Sequence, residues 1–306
     1  MHRDRWRTGV RVTAALTIVL AMAGACGSRS PSSNEPSRGS APPTAVPTIE
    51  PISTPIPTGH PDTTPAATGL VLPPADAGFD YQLGGAYPPP DGVSIVSRDR
   101  TEAPAPGLYD ICYVNGFQIQ PGEESWWEAN HPDAILRDQA GKPVIDPGWE
   151  ETMLAPTSPE RRTELAGVIG KWIAKCAADG FDAVEIDNLD TFTRTNGLIT
   201  EDDAVAQMRL FADAAHAVGL PIAQKNSAEI VGRAGEMGTD FAVAEECDRY
   251  HECDAYTAGY GDHVLVIEYR RTDFEAGCKA YPSLSIVLRD LDLVPKGEKG
   301  YVFDAC

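Results

Sequence analysis

From residue 158 to the C-terminus the sequence switches repeatedly between two hydrophobic periods, and no other feature restricts its fold as much. Ser158-Pro159 reads as an N-cap followed by proline at the first helical position. Leu165, Ile169, Trp172, Ile173 and Cys176 then recur at helical spacing, and Gly180 stops the helix. The apolar run "FDAVEID" follows at once as a strand. Thr200 caps a second helix, with Val205, Met208, Phe211, Ala212 and Ala215 on one face as far as Gly219. "PIAQKN", a short helix around 227–235, "FAVAEE", "VLVIEY", a helical stretch near "FEAGCKAY" and "LSIVLRD" complete the series. Strands that alternate with helices imply parallel β-α units. Upstream, "DYQLGG", "VSIVSRD" and "LYDICYVN" read as further strands, for a total of about eight. The stretch 116–157 has no assignable period. A doubly wound sheet would want a glycine-rich phosphate turn after its first strand, and "LGGAYPPP" is not one. The expectation is an α/β fold, a (β/α)8 TIM barrel.

Four successive apolar runs finish in a charged residue: Asp187, Lys225, Glu245 and Glu268. "VEIDNLD" carries Glu185, Asp187 and Asp190 in or beside one strand, although a buried carboxylate is costly unless it is paired. One charged strand end reads as a surface ion pair. Four in register read as a site, because the C-terminal strand ends of such a barrel converge on one face. Two carboxylates there, with no nucleophilic Ser-His pair and no metal-ligand spacing, are the minimum equipment for glycoside hydrolysis. One stays ionised as nucleophile or base, and the other delivers a proton to the leaving oxygen. Asp187 and Glu245 are the natural pair, Glu246 and Glu268 are competitors, and Lys225 is placed to hold a carboxylate ionised. No cofactor is expected. Trp126, Trp127 and Trp149 fall in the irregular stretch; each is a loop staple or a flat platform for a sugar ring. His216 reads as a histidine packed beneath the barrel.

The ends of the chain and its cysteines bear on location. Arg3, Arg5, Arg7 and Arg11 precede the short apolar run "VTAALTIVLAMAGA", which suits a secretory signal better than a membrane span. Small residues in "AGAC" lead to Cys26, as in lipoprotein signal peptides, with Ala23 where leucine is preferred. Residues 1–25 are therefore expected to be a lipoprotein signal peptide and Cys26 the lipidation site. Residues 26–74, dominated by Pro, Ser, Thr and Ala, are expected to be a disordered tether. Residues 75–306 then form the catalytic domain, extracytoplasmic and either held to the membrane through the lipid anchor alone or secreted. With 45 Asp+Glu against 25 Lys+Arg the formal charge is -20, which argues against nucleic acid and suits a cationic ligand. The six cysteines of the domain imply three disulfides, in any of about fifteen pairings. A monomer is expected.

"GFDAVEIDNLDTF", "LFADAAHAVGLPIAQKN", "DFAVAEECDRYHEC" and "VLVIEY", in this order, closely resemble glycoside hydrolase family 114, the endo-α-1,4-polygalactosaminidase group. The resemblance covers roughly residues 79–270. It implies a barrel that cleaves α-1,4-linked galactosamine polymers, with Asp187 as nucleophile and Glu245 as acid/base. It also implies that Asn188 and Asp190 hold Asp187 or the substrate amine. Lys225 and Asn226 match the family's Lys-Asn pair, Glu268 matches its "EY" glutamate, and Cys247 and Cys253 match a disulfide-closed loop. Of the remaining cysteines, Cys278 with Cys306 would pin the C-terminus, which leaves Cys112 for Cys176.

The chain also departs from the family pattern. Where a tryptophan usually precedes "x-Q-L", "FDYQL" offers Phe79 and Tyr81, and Tyr81 joins the candidate substrate contacts with Trp149. Ala244 replaces the asparagine before the acid/base, and "NGFQIQPGEESWW" replaces a glycine-rich, arginine-containing turn. A deacetylated galactosamine polymer is a polycation, and an acidic cleft would concentrate it. Two other readings stand beside this one: a non-catalytic polysaccharide-binding envelope lipoprotein, and a glycosidase or transglycosidase for another sugar.

Overall fold

The computed structural model describes residues 69–306. The expected signal peptide, Cys26 and most of the expected tether lie outside the described residues. The chain is bonded to the barrel from Val71 on, whose carbonyl accepts from the Tyr109 hydroxyl at 2.7 Å, while the Pro73 carbonyl lies 3.0 Å from His263 Nδ1.

Three strands come first: β1 (Gly78–Tyr81), β2 (Val93–Asp99) and β3 (Tyr109–Asn115). The stretch with no legible period then builds an insertion from β4 (Gln118–Ile119), α1 (Glu124–Asn130) and β5 (Thr152–Met153), with β4 and β5 paired antiparallel. Next come α2 (Pro159–Asp179), β6 (Ala183–Asp187), α3 (Thr191–Arg194), α4 (Glu201–Ala217), β7 (Ile222–Lys225) and α5 (Ala234–Met237). The remainder is β8 (Phe241–Glu245), α6 (Cys247–Tyr250), α7 (Cys253–Tyr260), β9 (Val264–Glu268), α8 (Arg271–Ala280), β10 (Ser285–Arg289) and β11 (Phe303–Ala305).

Eight of these strands are parallel and hydrogen-bonded in the order β1-β2-β3-β6-β7-β8-β9-β10, and β11 adds antiparallel to β10. The sheet curls until β1 packs against β10, giving the nearly closed barrel expected from the alternation. A fully buried ion pair pins that seam: Arg289 Nη1 lies 2.9 Å from Asp80 Oδ1 and also bonds the Tyr81 carbonyl.

The helix ends follow the capping residues. Ser158 Oγ accepts from the Arg161 N–H at the start of α2, and Gly180 ends the helix at φ +97°. Thr200 and Asp203 form a reciprocal capping box at the start of α4. Each strand splits its side chains by period two. Phe79, Tyr81, Ile95, Ile111, Ala183, Phe241, Val243 and Ile267 fill the lumen. Their neighbours Cys112, Val114, Val184 and Ile186, and on the far side Ala242, Ala244, Val264 and Val266, pack against the helices. Gly116 follows β3 where a Cβ would collide with Ile186 and Phe211.

Disulfides join Cys112 to Cys176, Cys247 to Cys253 and Cys278 to Cys306, which are the three pairings expected. They tie β3 to α2, close the loop after β8, and fasten the C-terminus to α8. Among the described residues no helix is long and apolar enough to cross a membrane.

Candidate active site

Period two decides which charged strand ends meet. Asp187, Lys225 and Glu245 are in step with the lumen residues of β6, β7 and β8, so all three project into the barrel mouth. Lys225 Nζ sits at the centre, 2 % exposed, 3.1 Å from Glu185 Oε1, 3.4 Å from Asp187 Oδ1 and 3.3 Å from Glu245 Oε2. The Tyr81 hydroxyl accepts from Lys225 at 2.8 Å and donates to Glu185 Oε1 at 2.6 Å. Ser97 Oγ donates to Glu185 Oε2 at 2.9 Å. Glu185 is thus the buried base plate of the cluster, and Lys225 links it to the two carboxylates above.

Asp187 and Glu245 are the members open to solvent, at 19 % and 28 % side-chain exposure. Asp187 Oδ2 accepts from the Tyr113 hydroxyl at 2.6 Å. Glu245 Oε2 accepts from Asn226 Nδ2 at 3.0 Å, and Asn226 Oδ1 accepts from the Glu245 N–H at 2.8 Å. The Tyr269 hydroxyl donates to Glu245 Oε1.

The environment drives the two carboxyls of β6 in opposite directions. Burial opposes ionisation of Asp187, but the Lys225 charge and bonds from the Tyr113 hydroxyl and the Asn188 N–H outweigh it and hold the pKa below the usual range. Burial lifts Glu185 above that range, against the pull of Lys225 and helped by the Asp187 charge. Lys225 is pushed the other way by burial, yet the surrounding carboxylates raise its pKa well above normal, so it stays charged. Burial keeps Tyr81, Tyr113 and Tyr269 protonated as donors, reinforced for each by nearby carboxylates.

The backbone turns sharply just past each of these strands. Asn188 (φ +64°), Asn226 (φ +50°), Ser227 (φ +63°) and Glu246 (φ +57°) are all left-handed without being glycine. Asparagine tolerates this region best, and such strain gathers where side chains must be aimed. Asn188 turns its amide to Asn115 Oδ1 at 3.1 Å, under the mouth. Asp190, half-buried, bonds Arg194, and Arg194 Nε reaches Asp146 Oδ2 at 2.7 Å.

Glu268 does not join the cluster, contrary to the reading of four strand ends in register. It is in step with Val264 and Val266 on the outer face of β9, fully buried, and its Oε1 accepts from the Asp248 N–H at 2.9 Å. Tyr269, one residue on, takes the lumen place. Trp149 is 57 % exposed on the turn that begins at Asp146, whereas Trp127 is fully buried as a staple against Trp172. His216 is remote from the mouth: its Nε2 lies 2.8 Å from Asp240 Oδ2, which also caps the first N–H of β7.

Sequence reasoning left out Tyr113, Tyr269, Asn115 and the base-plate role of Glu185. Parity places them only once the structure has shown which residues face the lumen: Tyr113 and Asn115 follow the lumen residue Ile111 by two and four positions, and Tyr269 follows Ile267 by two.

Residues 60–306 match the family model described as glycoside-hydrolase family GH114. The structure of Aspergillus fumigatus Ega3 in complex with galactosamine superposes with a TM-score of 0.62 at 20 % identity, covering 77 % of this chain and 97 % of that one. The glycoside hydrolase domain of PelA from Pseudomonas aeruginosa superposes with a TM-score of 0.50 at 15 % identity, covering 72 % of this chain and 97 % of the domain. No curated protein sequence matches the chain significantly.

Proposed function

The chain belongs to glycoside-hydrolase family GH114, and on that premise we propose that it cleaves α-1,4-linked galactosamine-containing exopolysaccharide by a retaining mechanism. The observation that carries the reading is the arrangement of Asp187 and Glu245 around Lys225. Contacts of 3.4 and 3.3 Å to one nitrogen cap the distance between Asp187 Oδ1 and Glu245 Oε2 at about 6.7 Å. That cap on the two facing oxygens is compatible with the roughly 5–5.5 Å spacing of a retaining pair.

In this mechanism Asp187 attacks the anomeric carbon as Glu245 gives its proton to the departing glycosidic oxygen. Tyr113 holds Oδ2, which leaves Oδ1, at the longer contact to Lys225, as the attacking atom. Glu245 then takes a proton from water, whose oxygen displaces Asp187 from the sugar and restores the carboxylate. Lys225 keeps Asp187 ionised before attack and stabilises it as a leaving group afterwards. Asn226 and Tyr269 fix the rotamer of Glu245. The galactosamine bound in the Ega3 structure supports an amino sugar as substrate.

Two departures from the family pattern favour the binding-only reading, the altered loop after β3 and Ala244. Ala244 is fully buried among Ala242, Val264 and Val266 on the outer face of β8, so the second departure points at the helices and leaves the lumen untouched. We also propose that the protein works outside the cytoplasm, which its three disulfides support, either anchored through a lipid on Cys26 or secreted. The test of activity is incubation with partly deacetylated α-1,4-galactosaminogalactan and mass spectrometry of the products, with Asp187→Asn and Glu245→Gln in parallel. Shorter oligomers from the wild type alone are expected. Full activity in Asp187→Asn sinks the mechanism, and polymer retained intact by every variant favours the binding-only reading.

A further inference from the structure

We infer that Glu151 recognises the free amine of the sugar held against Asp187, and so selects aminated over N-acetylated residues at that position; the inference rests on the glycosidase reading above. The acids around the mouth differ in whether the protein supplies them with a cation. Glu185, Asp187 and Glu245 share Lys225, and Asp190 and Asp146 share Arg194. Glu151 Oε2 accepts from the neutral amide of Asn115 at 3.0 Å, and no cationic group among the described residues bonds it.

Its place is well fixed. The turn before β5 is closed by the Asp146 N–H donating to the Glu151 carbonyl at 2.8 Å, with Glu150 left-handed at φ +59°. Asp146 Oδ1 also holds the N–H groups of Gly148 and Trp149. Asn115 is opposite Asp187 in the β3–β6 register and bonds Asn188, so Glu151 sits beside the strand end that bears the nucleophile. Burial, with the negative charges of Asp187, Asp146 and Glu124 and against the Asn115 bond, lifts its carboxyl to about 7, as suits a carboxylate that lacks a counter-ion. A sugar ammonium would supply one.

The chemistry gives such a group a task. In a 2-amino sugar the ammonium is on the carbon next to the anomeric centre, where positive charge develops in the transition state. A carboxylate paired with that ammonium offsets the repulsion. An acetamide at the same carbon carries no charge and gains nothing from it.

The test uses the full-length protein on partly N-acetylated α-1,4-galactosamine oligomers, with mass spectrometry identifying the residue at each newly formed reducing end. Wild type is expected to leave the amine there about 10- to 100-fold more often than the acetamide, the worth of one charge-assisted bond. Glu151→Gln should bring that ratio to within about 3-fold, and Glu151→Asp should retain part of it. A wild type that leaves both residues equally overturns the inference with no variant needed, as does wild-type selectivity in Glu151→Gln. Absence of any cleavage by the wild type sinks the glycosidase reading and this inference with it; cleavage without selectivity sinks the inference alone.

Discussion

Replacing Glu268 with glutamine is expected to stabilise the protein by an amount that is near zero at pH 4.5 and grows as pH rises to about 7. Glu268 is fully buried on the outer face of β9 and accepts one bond, from the Asp248 N–H, while its Oε2 has no protein partner. Burial, reinforced by the charges of Asp273, Asp248 and Glu246, raises its pKa from 4.5 to about 7. A carboxyl whose pKa is raised on folding contributes stability that is complete below the unfolded value and lost as pH rises through the folded one. The window is therefore pH 4.5 to about 7, and over it the native state loses roughly 3 kcal/mol. Glutamine is neutral throughout, its amide oxygen can still accept from Asp248, and its amide group can donate to the neighbouring carboxylates. Thermal melts of Glu268→Gln and wild type should coincide near pH 4.5 and separate by about 6–12 °C at pH 8, at about 2–4 °C per kcal/mol for a domain of this size. A gap that does not change between pH 5 and pH 8, or a variant less stable than wild type at pH 8, refutes the reasoning. Because Glu268 faces the helices, KM for the polymer should not move.

Lys225→Met tests the centre of the site. It leaves Glu185, Asp187 and Glu245 without their shared cation, so the acidic limb of the kcat/KM profile should move to higher pH and stability should fall by about 3–5 kcal/mol; an unshifted limb would mean that Lys225 does not hold Asp187 ionised. Cys26→Ser tests the anchor. Wild type should incorporate labelled palmitate and sediment with membranes, and the variant should do neither; equal labelling of both would place the lipid elsewhere or nowhere.

How far the site was legible depended on which physical signal carried each part. The barrel followed from two periods sustained over whole elements, and the capping residues Ser158, Gly180 and Thr200 marked the ends of the long helices. The strand ends were legible as charges but not as directions. A parallel barrel strand is buried on both faces, so "VLVIE" is apolar at every position before its glutamate, and alternation does not reveal which face is the lumen. Without that, Glu268 could not be separated from Asp187 and Glu245, and Tyr113 and Tyr269 looked like ordinary core residues. A phase set by Asp187 and Glu245 as lumen residues still does not transfer to β9, because register between strands is a tertiary quantity. The insertion failed for a different reason. It is held by two-residue strands, isolated bridges and side-chain bonds such as Glu151 to Asn115 across 36 positions, none of which leaves a period. The division has a functional logic. Charges that must be placed to within a fraction of an ångström stand on strands, where the ladder fixes them. The group assigned here to choosing the substrate stands on the irregular segment, where a change of sequence can re-aim it without disturbing Asp187, Lys225 and Glu245.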